Sequence, residues 1–380
     1  MSTICCIIGT RPEAIKMAPV ILKLKERGLP CFVLATGQHT DLLTQALKTF
    51  NITPDCNLSI MKKKQSLDYI TSAVLTKVGC VLDEIKPEIV LVHGDTTTTF
   101  ASALASFYRK IKVGHVEAGL RSGNLYLPFP EEANRVMVDK LATFWFAPTE
   151  MAKSNLIQEG CDPTRIWVTG NTVVDALMMV KKLNKDPEFL KEKLPLDVPL
   201  LLVTVHRRES WGKPLEAVCK AIMEIVKLIP DLWVIIPMHK NPLVRETWQE
   251  HLSYHPRVIL CDALEYDDFV WVMDKSTLIL TDSGGIQEEA TTLKKPVLIL
   301  RDVTERPEAI SAGTALLAGR QPSNIVELAL KILQDDEFKT KLLSKASFPF
   351  GEGKAADIIV NILSKHIHIK ANTNKPCSRE

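Results

Sequence analysis

Short apolar, β-branched runs alternate with helix-length amphipathic stretches along most of this chain, and many of the runs end on Gly, Thr, Asp or His. A strand buried on both faces reads as such a run, and parallel strands need a crossover of helix length between them. The alternation therefore predicts an α/β protein built on open parallel sheets. In the first half it places strands at 3–8, 31–36, 88–93, 113–117, 143–147 and 166–169, with a helix over 66–85 among the connections. A second series follows at 200–205, 232–237, 258–261, 277–280 and 297–300. The architecture repeats; the sequence does not.

With 380 residues the chain exceeds one ordinary core and suits two domains of intermediate size. The change comes near 183–199, where three prolines and alternating charges interrupt the apolar periodicity. The expected organisation is a first doubly wound domain over 1–183, a linker over 184–199 and a second domain over 200–354. A helix over 355–370 is expected to pack back on the first domain, and 371–380 forms an aperiodic tail. Two such domains facing one another would bring the carboxyl ends of both sheets to one interdomain cleft, where ligands of open α/β sheets bind.

Composition removes several function classes. Hydrophobic residues at 46% and charged residues at 24% exclude wholesale disorder, and no apolar run reaches the length a bilayer demands. The opening MSTICCIIGTRP runs straight into an apolar strand pattern without a basic leader, so the expected location is the cytoplasm. A net charge of +2 offers no general field for nucleic acid, and the basic run Lys62-Lys63-Lys64 reads as a solvated turn. The nine cysteines lack C-x-x-C spacing and mostly lie within apolar runs, as reduced core thiols do. The spacings of His39, His93 and His115 match no close-ligand motif, so no metal is expected.

The residues suited to chemistry lie at the strand ends. The first strand runs into Gly9-Thr10-Arg11-Pro12-Glu13-Ala14-Ile15-Lys16. That turn reads either as an anion seat at a helix start or as a strand-to-helix turn with surface charges. No G-x-G-x-x-G and no P-loop signature occurs, which leaves dinucleotide and ATP chemistry without their usual support. In the second half, Thr281-Asp282-Ser283-Gly284-Gly285 opens a helix whose backbone N–H groups would approach a pyrophosphate closely, with Glu289 placed for ribose hydroxyls. Carboxylates gather in the first half at Asp95, Glu117, Glu131 and Glu132, where burial would suit one to act as base and another as acid. Glu132 is the expected bystander of its pair. His206-Arg207 and His239, at two strand ends of the second half, suit a phosphate or the developing charge of a leaving group.

Eight blocks in order, GTRPEAIKMAPV, TGQH, HGDTTTT, HVEAGLRS, PFPEEANR, VTVHRRES, TDSGGIQEEA and RDVTERPEA, resemble the non-hydrolysing UDP-N-acetylglucosamine 2-epimerases over Gly9 to Glu308. The resemblance implies two Rossmann-like domains of the glycosyltransferase B type, a homodimer, no cofactor and an isomerase of polysaccharide biosynthesis. It implies interconversion of UDP-N-acetylglucosamine and UDP-N-acetylmannosamine by elimination of UDP to 2-acetamidoglucal, reprotonation at C2 and re-addition of UDP. Carried over by motif, Asp95, Glu117 and Glu131 form the acid/base set and His206 helps the departing diphosphate. Arg11, Lys16, Ser283, Gly284, Gly285 and Glu289 would hold UDP, and Phe269 would support the uracil. A second UDP-N-acetylglucosamine, acting as activator, would contact Gln38, His39, Glu131, Arg207 and His239. Lys64 stands where the family often has arginine, which loses the bidentate fork for a phosphate. The rival readings are a hydrolysing epimerase releasing N-acetylmannosamine and UDP, a glycosyltransferase of the same build, and a nucleotide-sugar sensor without turnover.

Overall fold

The computed structural model describes residues 3–37, 40–62, 65–183, 186–191, 193–195, 197–304, 306–344 and 347–367. Two parallel sheets carry the fold. The first has seven strands, β1 (Ile4–Ile8), β2 (Cys31–Ala35), β3 (Cys56–Asn57), β4 (Ile89–His93), β5 (Lys112–Val116), β6 (Phe144–Ala147) and β7 (Ile166–Val168), in the order β3-β2-β1-β4-β5-β6-β7. The second has six, β8 (Leu200–Thr204), β9 (Trp233–Pro237), β10 (Val258–Cys261), β11 (Leu278–Thr281), β12 (Val297–Ile299) and β13 (Ala315–Leu317), in the order β10-β9-β8-β11-β12-β13. Each order runs outward from its first strand in both directions, so the chain reverses between β1 and β4 and again between β8 and β11. At such a reversal the crossovers leave on opposite faces of the sheet and open a crevice at the carboxyl ends of the two central strands.

The expected runs form strands because they are buried throughout: β1 (ICCII), β4 (IVLVH) and β8 (LLLVT) have every residue inside. Two short strands escaped the periodicity. β3 has two residues and β13 three, and neighbouring strands define them through Leu34↔Cys56 and Val297↔Ala315. The helix Leu67–Ile85 is capped by Ser66, whose side chain accepts from the Tyr69 N–H.

The chain divides into two compact units. One comprises the described residues up to Ala176 together with those from Phe350, and the other runs over Leu177–Pro349. The terminal helix Ala355–His366 belongs to the first unit. It starts on Asp175, whose carboxylate accepts from the Ala355 and Ala356 N–H groups at 3.2 and 2.9 Å, and it pairs Asp357 with Lys23 of the helix Arg11–Glu26. Burial pushes the Asp175 carboxyl up to about 6 in spite of those donors. The eight described cysteines form no disulfide, and no described helix is long and apolar enough to cross a membrane.

Candidate active site

In the first unit the turn after β1 is tight. A Cβ on Gly9 would stand 2.6 Å from the Thr98 hydroxyl and 2.7 Å from that of Thr36, so only glycine fits. Its backbone N–H groups are already engaged. Glu13, 2% exposed, folds back so that one oxygen accepts from Gly9 N at 2.5 Å and from Thr10 N at 2.8 Å. The other oxygen accepts from the hydroxyls of Thr96 and Thr99, beyond β4. Burial raises the Glu13 carboxyl, and these four donors oppose the rise. The turn expected to present its backbone to an anion thus carries its own carboxylate, which ties the β1 and β4 ends together.

Three elements converge on Glu117, just beyond β5. Its Oε2 accepts from Lys16 Nζ at 2.5 Å and from Asn171 Nδ2 at 2.7 Å, and His93 Nε2 stands 3.7 Å from the same oxygen. Glu117 adopts φ +68°, a left-handed conformation that costs a non-glycine residue energy. Its backbone N–H is pinned to Phe146 O at 3.1 Å. His93 is 4% exposed, and burial, reinforced by Lys16 and His115, pushes it down to about 4, outweighing the opposite pull of Glu117. It is therefore a neutral imidazole at physiological pH.

Asp95 lies on the next turn. Its carboxylate pairs with Arg135, and its carbonyl accepts from Asn134 Nδ2 at 2.9 Å. Behind it, buried His115 bonds Asp139 through Nδ1 at 2.6 Å and the Gly94 carbonyl through Nε2 at 2.8 Å. Burial alone would raise Asp139, yet His115 and Arg121 hold its carboxyl below the usual range. Glu131 begins the helix Glu131–Leu141 and is half-buried. Glu132 is occupied elsewhere: its Oε1 accepts from Ser122 N at 2.8 Å and Gly123 N at 3.2 Å, and Arg135 is its ion-pair partner. It organises the loop ahead of Pro128-Phe129-Pro130.

The second unit treats its helix start differently. Ser283 caps the helix Gly284–Thr292 without a side-chain bond to it, and a Cβ on Gly285 would meet nothing within 4 Å. The first turn of that helix is open to an approaching anion. Asp282, fully buried, fixes the facing turn after β8: it accepts from His206 N at 3.2 Å, Arg207 N at 3.0 Å and the Ser210 hydroxyl at 2.8 Å. His206 Nδ1 lies 3.5 Å from the same carboxylate, and the ring stacks on His239 at 6.5 Å. Burial and His206 push His239 down, and its Nδ1 accepts from Asn241 N at 3.2 Å. Glu289 is buried and accepts from the Tyr266 hydroxyl at 2.6 Å. Phe269 lies half-buried on the same helix, Tyr266–Lys275. Glu288 turns away to a buried pair with Arg306.

In the first unit the structure brings Lys16 against Glu117 and pairs Asp95 with Arg135, on the helix that Glu131 begins; in the second it joins His206 and Arg207 to Asp282, beside Ser283, and sets His239 against His206. Lys16, expected on the nucleotide, stands against Glu117. Gln38, His39 and Lys64 lie outside the described residues. Sequence reasoning missed the roles of Glu13, Asn171, Asp282 and Tyr266. Only Glu13 carries a readable signal, the Thr10-x-x-Glu13 spacing of a capping box. Among the described residues no cluster of His, Cys, Asp and Glu is arranged to hold a metal.

Comparison with known proteins agrees with this fold. The family model described as UDP-N-acetylglucosamine 2-epimerase matches residues 22–364. The chain is 50% identical to the UDP-N-acetylglucosamine 2-epimerase of Bacillus subtilis over 362 residues, covering 95% of this chain and 94% of that one. It is 47% identical to the enzyme of Escherichia coli O157:H7 over 369 residues, covering 95% and 98%. The Neisseria meningitidis UDP-GlcNAc 2-epimerase, solved bound to UDP-GlcNAc, superposes with a TM-score of 0.90 at 46% identity, covering 96% of this chain and all of that one. The S. aureus MnaA–UDP structure superposes with a TM-score of 0.90 at 43% identity over the full length of both. With two parallel doubly wound sheets, carboxylates gathered at the strand ends of one and an open helix start in the other, this chain belongs to the UDP-N-acetylglucosamine 2-epimerases, a family of isomerases.

Proposed function

We propose that this chain interconverts UDP-N-acetylglucosamine and UDP-N-acetylmannosamine without net hydrolysis. The observation that carries the reading is the contrast between the two helix starts. In the first unit Glu13 fills the backbone donors; in the second the Thr281 hydroxyl takes the Ser283 N–H at 3.0 Å and the helix start is open at Gly285. The diphosphate then belongs to the second unit and the proton chemistry to the first. Gly284 and Gly285 hold the diphosphate through backbone N–H groups, with the Ser283 hydroxyl and Arg11 as further contacts. Glu289, steadied by Tyr266, takes the ribose hydroxyls, and Phe269 supports the uracil.

The C2 hydrogen has no carbonyl beside it in the ring, so its removal is coupled to departure of UDP. A carboxylate takes the C2 proton, the C–H pair becomes the C1=C2 bond of 2-acetamidoglucal, and the C1–O bond breaks with its electrons going to UDP. A carboxyl group on the opposite face returns a proton to C2 while UDP re-attacks C1. Asp95, Glu117 and Glu131 supply these groups. His206, oriented by Asp282, stabilises the diphosphate as charge builds on it. The same reading makes the enzyme a cytoplasmic homodimer and gives Gln38, His39, Lys64, Arg207 and His239 to a second, activating UDP-N-acetylglucosamine.

Proton NMR of UDP-N-acetylglucosamine with the pure protein in deuterated water tests the reaction. The expected product is UDP-N-acetylmannosamine with deuterium at C2 and no free UDP. Stoichiometric UDP and N-acetylmannosamine would assign the hydrolysing reaction instead, and retained C2 protium in the product would overturn the route. For the activator, a rate curve in UDP-N-acetylmannosamine that is hyperbolic and unmoved by added UDP-N-acetylglucosamine would refute the second site.

A further inference from the structure

His93 Nε2 is buried and has no hydrogen-bond partner in the structure. A buried polar atom without a partner costs about 1–3 kcal/mol, so it is kept either for another state of the protein or for a ligand. Its nearest ionisable neighbour is Glu117 Oε2 at 3.7 Å. An imidazole N–H aimed at an ionised carboxylate closes to roughly 2.7–2.9 Å, because the charge strengthens the bond. Lys16 and Asn171 close to 2.5 and 2.7 Å on this same oxygen, and His93 alone stands off. The stand-off has a simple cause if Nε2 carries a lone pair and not a proton: two acceptors face one another while Glu117 is ionised.

We propose that His93 is a positioning residue for Glu117, a neutral imidazole whose Nε2 accepts a hydrogen bond from the Glu117 carboxyl once that group has taken up a proton. The step balances simply. Glu117 gains one proton from the substrate carbon, its charge is lost, the Lys16 ion pair slackens, and a side-chain rotation of about 1 Å brings Oε2–H within hydrogen-bond reach of Nε2. The proton stays on the carboxyl. Burial keeps the imidazole a far weaker base than usual, at about 4, so it holds the acid form without removing the proton. The charged and titratable groups facing the pair are Lys16 from the first helix, His115 from β5, and Asp95 just beyond β4. The neutral amide of Asn171 completes the surroundings. In this arrangement Lys16 and Asn171 serve the base form of Glu117 and His93 serves its acid form, so one carboxyl has a partner in each state.

This inference rests on the proton-transfer role proposed for Glu117, but its test does not need turnover. The infrared carboxyl band that disappears in Glu117→Gln is titrated in the wild type, in His93→Phe and in His93→Gln. Loss of the acceptor in His93→Phe should lower the midpoint by about 0.5–1 pH unit, the equivalent of one neutral hydrogen bond. His93→Gln, whose amide oxygen can accept, should restore most of it. An unchanged midpoint in His93→Phe overturns the proposal, and so does a raised one, which would make His93 a donor to the ionised form. Should His93→Phe not fold, the nitrogen-15 spectrum of wild-type protein decides: Nε2 unprotonated with the proton on Nδ1 is expected, and a protonated Nε2 refutes it. If the reaction in deuterated water fails while the infrared shift holds, the functional reading falls and the His93–Glu117 pair stands. A shift of the acid limb of the pH–rate profile to lower pH in His93→Phe, with a smaller kcat and little change in KM, is the corresponding kinetic signature.

Discussion

Glu13 offers the sharpest perturbation in the first unit, since one carboxylate accepts four hydrogen bonds and joins the ends of β1 and β4. Glu13→Ala removes both acceptors. The N–H groups of Gly9 and Thr10, both buried, then lose their partner, at about 1–3 kcal/mol each. The vacated volume admits water and returns part of that loss, so a net destabilisation of about 3 kcal/mol is expected, with a range of roughly 2–5. Glu13→Gln behaves differently. Its one carbonyl oxygen can still serve Gly9 and Thr10, its amide can donate to the Thr96 and Thr99 oxygens, and the substitution relieves the burial of a charge. Its cost should stay below about 1 kcal/mol. Because the chain has two units, urea unfolding is read together with amide hydrogen exchange of the β1 and β4 peptides, which isolates the first unit. Millimolar formate, small enough to re-enter the vacated site, should restore part of the protection in Glu13→Ala. Equal losses in the Ala and Gln variants, or a loss below about 1 kcal/mol in Glu13→Ala, would refute the internal anion as the clamp of this crevice.

Gly285→Val adds a side chain to open space, so stability should change by no more than about 0.5 kcal/mol, while KM for the nucleotide sugar rises at least tenfold; unchanged KM would remove the diphosphate from this helix start. Asp282→Asn should lower kcat more than tenfold with little change in KM, because His206 loses its orienting carboxylate; a pure KM effect would argue against that role. Burial lowers His93 to about 4 from 6.5. The unfolded chain therefore binds a proton that the folded one does not as pH falls from 6.5 towards 4, and stability complete above that window declines by about 3 kcal/mol. His93→Gln should remove that slope from denaturation midpoints measured across the window. The raised Asp175 carboxyl has the opposite sign: its contribution is present below the ordinary carboxylate range and is lost as pH rises through about 6, so Asp175→Asn should flatten exchange protection of the terminal helix between pH 4 and 7.

The long strands were legible because a parallel strand buried on both faces must be apolar along its whole length, as in ICCII, IVLVH and LLLVT. β3 and β13 were not, since their two and three residues are defined by their neighbours' hydrogen bonds. The strand-end carboxylates were readable as candidates, for a charged residue beside glycine at the end of a buried run is poorly explained by packing. Their partners were not. Lys16 and Asn171 lie 101 and 54 residues from Glu117, and Arg135 lies 40 from Asp95. The anion seat at Gly9 shows the same limit. Glycine beside basic residues at a helix start suggests an anion seat, and the sequence does not show that the chain's own Glu13 occupies the Gly9 and Thr10 N–H groups.

Residue order alone determined the class of this protein: alternating strands and helices, chemistry at the strand ends, and eight ordered blocks similar to one epimerase family. Those features are local, each fixed by a few adjacent side chains and the hydrogen-bonding needs of their backbone. Only the tertiary structure decided which helix start is open, which lysine neutralises Glu117 and which buried nitrogen faces it without a bond. The reason is electrostatic and steric: a carboxyl group's protonation depends on atoms within a few ångströms, and the crossovers of a doubly wound sheet bring those atoms from distant parts of the chain.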